Sequence, residues 1–295
     1  MSRNLEIAEN GDDPLWSSAA SIGELQCLIE EATSALSSLG VKTRPNGSLI
    51  SIFSSVRKIS ERSTQLTNEK WEVFFEKATE ARRIALSILA AANDPNSRHN
   101  FAMIARSDMN PKSAVNSDGR NFLWELDLYR KIRMGGGDIK IAEPDLVMVL
   151  GKRKLEYSIA CKKIYSERSI QGALRDGVNQ IRKKGQPGIV ALNIDTLAAR
   201  RSWTFANENE LGKSLREFND VFRERHSQDF KKFEEDGLCD GFLISTATYA
   251  KVLNSKLPRN HSSAIMLIPQ KNCRSSIDRI FEIQMYLDGL DSLRK

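Results

Sequence analysis

Cysteine and histidine are both scarce in this chain, with four and three copies in 295 residues. The cysteines lie far apart, without the paired spacing of zinc sites, and we expect them to be reduced thiols in a cytoplasmic protein (Cys27, Cys161, Cys239 and Cys273). No apolar run approaches the roughly 20 residues that span a bilayer. The first six residues lack the apolar core of a signal peptide. These absences argue against a structural zinc site, secretion and membrane insertion.

Charge is plentiful and unevenly placed. The composition, 40% hydrophobic and 28% charged, is typical of a globular protein, and the net charge is +6. Residues 152–184 contain ten Lys or Arg and three acids, so this segment carries the whole positive excess. A concentrated positive field favours nucleic acid as a partner. A solvated charged face is the alternative interpretation.

The first part of the chain has the apolar spacing of helices. Residues 1–94 are therefore predicted to form a helical N-terminal region. Residues 95–118 are rich in Asn, Ser, Asp and Pro and are predicted to be a linker or loop. Residues 119–295 would form the second domain, with a charged helical insertion at 201–236.

Two short apolar runs, residues 143–150 and 155–164, predict a pair of strands joined by a basic turn. An acid, Asp145, opens the first strand, and Lys162 lies near the end of the second. The period of two along a strand allows both side chains to point to the same place. Such charges are costly to bury unless they are paired or used. An ordinary salt bridge is the simplest use.

The pair of strands resembles the hairpin of the PD-(D/E)xK nuclease family. Pro144-Asp145 matches the first half of that motif, and Ala160-Cys161-Lys162 matches the spacing and the lysine of the second half. The predicted order of helix, three strands, helix and strand between about 119 and 195 also matches the family's αβββαβ core. The resemblance implies an α/β fold with a restriction-endonuclease-like core and a mixed sheet, extended at the C-terminus by further strands and a helix.

The resemblance also implies a metal site and named roles. Asp145, the backbone carbonyl of Cys161, and Glu125 on the preceding helix would hold Mg²⁺, for which Mn²⁺ would substitute. Lys162 would orient the attacking water. Gln180, and less so Gln171, would lie near the scissile phosphate. Glu125 is preferred to Asp127 because it shares the helix face of Phe122, Leu126, Tyr129 and Ile132, and a salt bridge is its alternative use.

Ala160 departs from the family, which has Glu or Asp at this position. The metal would lose a ligand, so the chain is expected to be weak or inactive as a nuclease. The alanine is either an introduced replacement or a natural loss, and the retained lysine favours the first. Glu156 lies on the same strand face, but four residues are about 13 Å, too far to replace the acid.

Five basic residues are predicted to contact nucleic acid (Lys163, Arg168, Arg175, Arg182 and Lys183). The leading hypothesis is a metal-dependent DNA endonuclease of restriction or anti-phage defence, with RNA as another substrate and a homodimer or an ATPase or helicase subunit as further partners. The alternative is an inactive nuclease fold that binds nucleic acid or assembles a complex. A purely structural α/β subunit is the third hypothesis.

Overall fold

A computed structural model describes residues 19–60, 68–152, 154–199, 203–234, 239–253, 260–269 and 274–292. The first 18 residues of the predicted N-terminal region, and positions 201–202 and 235–236 of the predicted insertion, lie outside them. The helices are α1 (Ala19–Ser38), α2 (Ser48–Ser60), α3 (Asn68–Ala91), α4 (Ser97–Arg106), α5 (Asp118–Met134), α6 (Ile170–Lys184), α7 (Asp195–Ala198), α8 (Glu208–Arg225), α9 (Ser227–Glu234) and α10 (Arg274–Ser292). The strands are β1 (Asp138–Ala142), β2 (Asp145–Leu150), β3 (Leu155–Lys163), β4 (Gly188–Asn193), β5 (Thr204–Phe205), β6 (Cys239–Val252) and β7 (Asn260–Pro269).

The strands form one mixed, open sheet in the order β1-β2-β3-β4-β6-β5, with β7 also paired to β6. Strands β1, β2 and β3 are antiparallel neighbours, whereas β3, β4 and β6 run parallel. The sequence predicted an α/β fold with a mixed sheet, and the structure confirms this. The elements α5, β1, β2, β3, α6 and β4 also follow one another in the predicted order.

The sheet has helices on both faces. Helix α5 covers one face, where the indole Nε1 of Trp124 donates a buried hydrogen bond of 3.2 Å to the carbonyl oxygen of Ala191. Helix α6 covers the other face, where Leu174 and Val178 pack in one core with Ala160 and Val190. Neighbouring residues of β3 therefore belong to different cores. Cys161 faces α5 and Ala160 faces α6.

The predicted loop at 95–118 is wrong in its first half. Residues 97–106 form α4, and Phe101 and Ile104 are fully buried in the core that α1, α2, α3 and α5 share with the sheet. Asn, Ser and Pro mark helix starts as well as loops, and the apolar spacing inside this short segment decides for a helix.

The charged segment after β5, predicted as a helical insertion at 201–236, contains two helices. Helix α8 ends at Arg225 and α9 begins at Ser227. His226 caps α8 outside the helical region, with φ −102° and ψ 16°.

Within the described ranges, no helix combines the length and the apolar character needed to cross a bilayer.

Candidate active site

The register of the β2–β3 pair brings the two halves of the motif together. Val147 lies opposite Ser158, and Leu146 lies opposite Ile159. Continuing this register by one position sets Asp145 beside Ala160. Lys162 follows two residues later on the same face as Ala160.

Asp145 is held by the neighbouring strand. Its Oδ2 accepts a hydrogen bond of 2.7 Å from the backbone N–H of Cys161, and the Nζ atom of Lys162 lies 3.9 Å from the same oxygen. Burial, with a smaller contribution from Glu143, raises the pKa of Asp145 to about 6. Lys162 and the N–H of Cys161 oppose that rise. The cost of burying the ionised carboxylate of Asp145 therefore outweighs its attraction to Lys162.

Lys162 makes its shortest contact with α6. Its Nζ atom donates a hydrogen bond of 2.5 Å to Oε1 of Gln180. The helix presents Gln180 at this point because Ile181 and Leu174, on the adjoining side of α6, are buried against the sheet. Lys162 and Gln180, which were predicted separately as site residues, are thus in direct contact. Gln171, two turns earlier, is exposed.

Glu125 approaches the motif from α5. It is buried, and its Oε2 accepts a hydrogen bond of 3.0 Å from the side-chain amide of Asn100. Burial raises the pKa of Glu125 well above its usual value, with further increases from Asp145 and Glu143, whereas Lys162 and Asn100 act in the opposite sense. Glu125 and Asp145 therefore lie close enough to interact electrostatically. Asn100 was not predicted, because its segment was interpreted as a loop.

Asp127 lies in a different environment, two residues further along α5. It forms ion pairs with Arg83, Arg130 and Lys131 at 3.4, 3.1 and 3.8 Å. Burial opposes its ionisation, but these three cations outweigh burial and hold the pKa of Asp127 well below its usual range. The preference for Glu125 over Asp127 thus agrees with where the two acids lie.

Cys161 is a buried thiol between the two acids. Burial, followed by the charges of Asp145 and Glu125, raises its pKa well above the usual value. A thiol in such a place is a poor nucleophile. Its contribution to the site is the main chain.

The described residues contain no group of three His, Cys, Asp or Glu side chains placed to hold a metal ion. Two carboxylates and the backbone carbonyl of Cys161 are the oxygen donors that remain. Both carboxyl groups have raised pKa values, which a divalent cation would lower again. The donors suit Mg²⁺ in chemical type, and the fully buried Ala160 adds no oxygen donor from its side chain.

The predicted nucleic-acid contacts divide into two groups. Four are exposed on or just before α6 (Arg168, Arg175, Arg182 and Lys183). Lys163 is different, because it lies apart from these exposed residues. Its side chain is 6% exposed, donates to Oδ1 of Asn193 and lies 3.9 Å from Asp195, because consecutive strand residues point to opposite faces.

Glu156 lies away from the site, near the hairpin turn. It pairs with Lys140 at 2.7 Å and accepts a hydrogen bond of the same length from Gln186. It takes no part in the cluster around Asp145, as the strand geometry predicted.

Comparisons with family models, curated proteins and solved structures found no match. The function proposed below therefore rests on the residues of the site and on the sequence motif.

Proposed function

We propose that this site belongs to a metal-dependent nuclease of the PD-(D/E)xK kind, and that Ala160 removes one of its metal ligands. The observation that carries the proposal is the convergence of Asp145, Lys162 and Gln180 on one face of the sheet, with position 160 between the acid and the lysine. Glu125 adds a second carboxyl group from α5.

A divalent cation would be held by Asp145, Glu125 and the carbonyl oxygen of Cys161. Such an ion, when bound, polarises a phosphoryl oxygen and makes water a stronger nucleophile. Lys162 would orient the attacking water and offset negative charge that develops on the phosphate. Gln180 holds the lysine in place through its Oε1 atom. Asn100 holds the carboxylate of Glu125 by donating a hydrogen bond from its side-chain amide nitrogen.

The substrate would approach along α6. This helix carries Gln180 on its inner side and the exposed Arg168, Arg175 and Arg182 at or near its outer side. Phosphate contacts of this kind position a nucleic acid without reading its sequence. DNA is the substrate that we propose first, and RNA is the other polymer with the same phosphodiester chemistry.

Replacement of Ala160 provides the test. We expect Ala160→Glu to cut DNA with Mg²⁺ or Mn²⁺, and the unaltered chain to cut weakly or not at all. Ala160→Gln is the matched control, since it has the same size and no charge. Lys162→Ala added to Ala160→Glu should abolish cutting. Parallel assays with plasmid, linear DNA and RNA show which polymer is cleaved, and absence of cutting by Ala160→Glu on all three, with or without partner proteins, would contradict the proposal.

A second function is favoured by one observation. Ala160 is completely buried in the core beneath α6, where an alanine packs without cost. A protein that binds nucleic acid or assembles a complex through this fold has no need of an acid there. It would bind DNA with strong salt dependence, because basic side chains displace counterions, and it would remain inactive after Ala160→Glu.

A further inference from the structure

A pocket separate from the proposed nuclease site opens at the carboxyl ends of the parallel strands β3, β4 and β6. Its wall includes Glu80 and Arg83 of α3, Arg120 of α5, and Lys163, Asp195 and Tyr249 at the strand ends. The cavity volume open to water-sized molecules is about 30 Å³. Ligands of open α/β sheets commonly bind at this edge of the strands.

The pocket and the side chains paired to it contain more positive than negative charge. The wall holds three cations and two carboxylates, all buried or nearly so (Arg83, Arg120 and Lys163; Glu80 and Asp195). Ion pairs of 3.4 to 4.0 Å join Arg83 to both carboxylates and Lys163 to Asp195. Burial raises the pKa of Glu80 and lowers that of Lys163 to about 8, so both charges are costly in this pocket. Buried charge without compensation is costly, so this cluster needs an anion.

Arg120 is a buried cation whose contacts in the described part of the chain are all with neutral groups. Only 3% of the residue is exposed, and its guanidinium donates to the backbone carbonyls of Ser113, at 2.6 Å, and Val115. It lies 4.8 Å from the centre of the Tyr165 ring. Among the described residues it forms no ion pair with a carboxylate. An arginine held by neutral groups keeps its full charge for a ligand.

Several buried atoms in and beside the pocket lack a hydrogen bond. These are the Nε atom of Arg120, the side-chain amide nitrogen of Asn193 and the hydroxyl of Thr196. All three can donate, and two of them can only donate. The Nε atom of Arg83 also makes no hydrogen bond, but it lies 3.4 Å from a carboxylate oxygen of Asp127. Buried donors are normally satisfied, so the ligand that fits must offer acceptors. A phosphate group offers several oxygens, matches the planar fork of arginine and carries the required charge.

We infer that this pocket binds a phosphate group, recognised by Arg83, Arg120 and Lys163. The group is either the terminal phosphate of a nucleic-acid strand or the phosphate of a free nucleotide, which share this chemistry. The inference goes beyond the proposed nuclease site, because Lys163 and Lys162 point to opposite faces of the sheet. Phosphate binding tests it, and the result does not depend on whether the protein cleaves nucleic acid.

Calorimetric titration of the full chain with inorganic phosphate, at constant ionic strength set with sodium chloride, provides the test. One saturable site is expected, and Lys163→Gln and Arg120→Gln should each weaken it by about tenfold or more, the usual effect of losing a hydrogen bond to a charged group. Lys213→Gln, an exposed charge on α8, is the control and should change affinity by less than about twofold. Absence of saturable binding, or equal weakening by the control, would overturn the inference.

Two further measurements complete the experiment. Arg120→Gln could unfold the loop it supports, so phosphate titration of the unaltered chain is also followed through the Nε–H signals of its buried arginines by NMR. Shifts of these protected signals support the pocket, and their absence at saturation refutes it. Tighter binding of a 5′-phosphorylated oligonucleotide than of its 5′-hydroxyl form and of a mononucleotide identifies the strand end, whereas preference for the mononucleotide identifies the free nucleotide.

Discussion

The backbone N–H of Cys161 donates a hydrogen bond of 2.7 Å to Oδ2 of Asp145, while the ammonium group of Lys162 stays 3.9 Å from that same oxygen. A salt bridge that served stability alone would bring the two charges to about 2.8 Å. Here the lysine instead donates to the neutral Gln180. The neighbouring strand fixes the orientation of the Asp145 carboxylate. Lys162 neutralises its charge only in part.

The first prediction concerns pH and stability. The pKa of Asp145 is about 6 in the folded chain against its usual 3.8, mainly because of burial. The folded state therefore binds more protons between these values, and the free energy of unfolding falls as pH rises through this window. Asp145→Asn should remove that loss and stabilise the chain above pH 6 by about 1 to 3 kcal/mol. Urea unfolding at pH 4 and pH 8 measures it.

The pH dependence of this gain distinguishes the two roles of Asp145. The gain from Asp145→Asn should be much smaller at pH 4 than at pH 8 and should vanish below the ordinary pKa of 3.8, where the wild-type carboxyl is protonated in both states. If Asp145 were a structural ion-pair partner of Lys162, the substitution would instead destabilise the chain at pH 8 and the loss would shrink on acidification.

A second prediction concerns the packing of α6 against the sheet. A Cβ atom at Gly177 would lie 2.7 Å from a methyl carbon of Val190, whereas a Cβ at Gly172 would meet nothing within 4 Å. Gly177→Ala should destabilise the chain by about 1 to 3 kcal/mol through overpacking. Gly172→Ala, in the same helix, should stabilise it by up to about 1 kcal/mol. Thermal unfolding of both variants checks this, and equal effects would show that α6 does not pack as described.

The third prediction concerns the attachment of α10. Asp240 of β6 is fully buried and accepts hydrogen bonds of 2.5 and 2.6 Å from Arg279, with a third from the hydroxyl of Ser276 at 2.7 Å. Asp240→Ala leaves Arg279 without its partner and should cost about 3 to 5 kcal/mol. The exposed pair of Glu167 and Arg225 provides the control, because Glu167→Ala should cost less than about 1 kcal/mol. Similar losses of stability in the two variants would contradict the expectation that the buried ion pair contributes more than the exposed one.

A fourth prediction separates the two uses of Glu125. Asn100→Leu removes the hydrogen bond to a carboxyl whose pKa burial raises. In the Ala160→Glu background we expect the Mg²⁺ concentration needed for half-maximal cutting to increase about tenfold, the usual range for a lost partner of a metal ligand. If Asn100 served only packing, the variant would change stability without altering the metal requirement.

Much of the candidate site was accessible from the sequence because its parts are local. Short strands with a period of two placed Asp145 and Lys162 on one face, and helical spacing distinguished Glu125 from Asp127. The same alternation places Lys163 on the opposite face of the sheet from Lys162.

Other features depend on residues that are far apart in the chain. Arg83 and Asp195 form an ion pair across 112 positions, and no local pattern marks either of them. Asn100 could not be assigned to Glu125 while its segment was interpreted as a loop. The break between α8 and α9 at His226 lacks a glycine or proline signal. Tertiary packing decides all three.

The measurement that tests the central claim most directly is Mn²⁺ binding, followed by electron paramagnetic resonance, because it requires no knowledge of the substrate or of a partner. Ala160→Glu should bind one Mn²⁺ at least about tenfold more tightly than Ala160→Gln, and Asp145→Asn added to it should abolish binding. If Ala160→Glu binds Mn²⁺ no better than Ala160→Gln, or if binding survives Asp145→Asn, the acids around position 160 do not form a metal site.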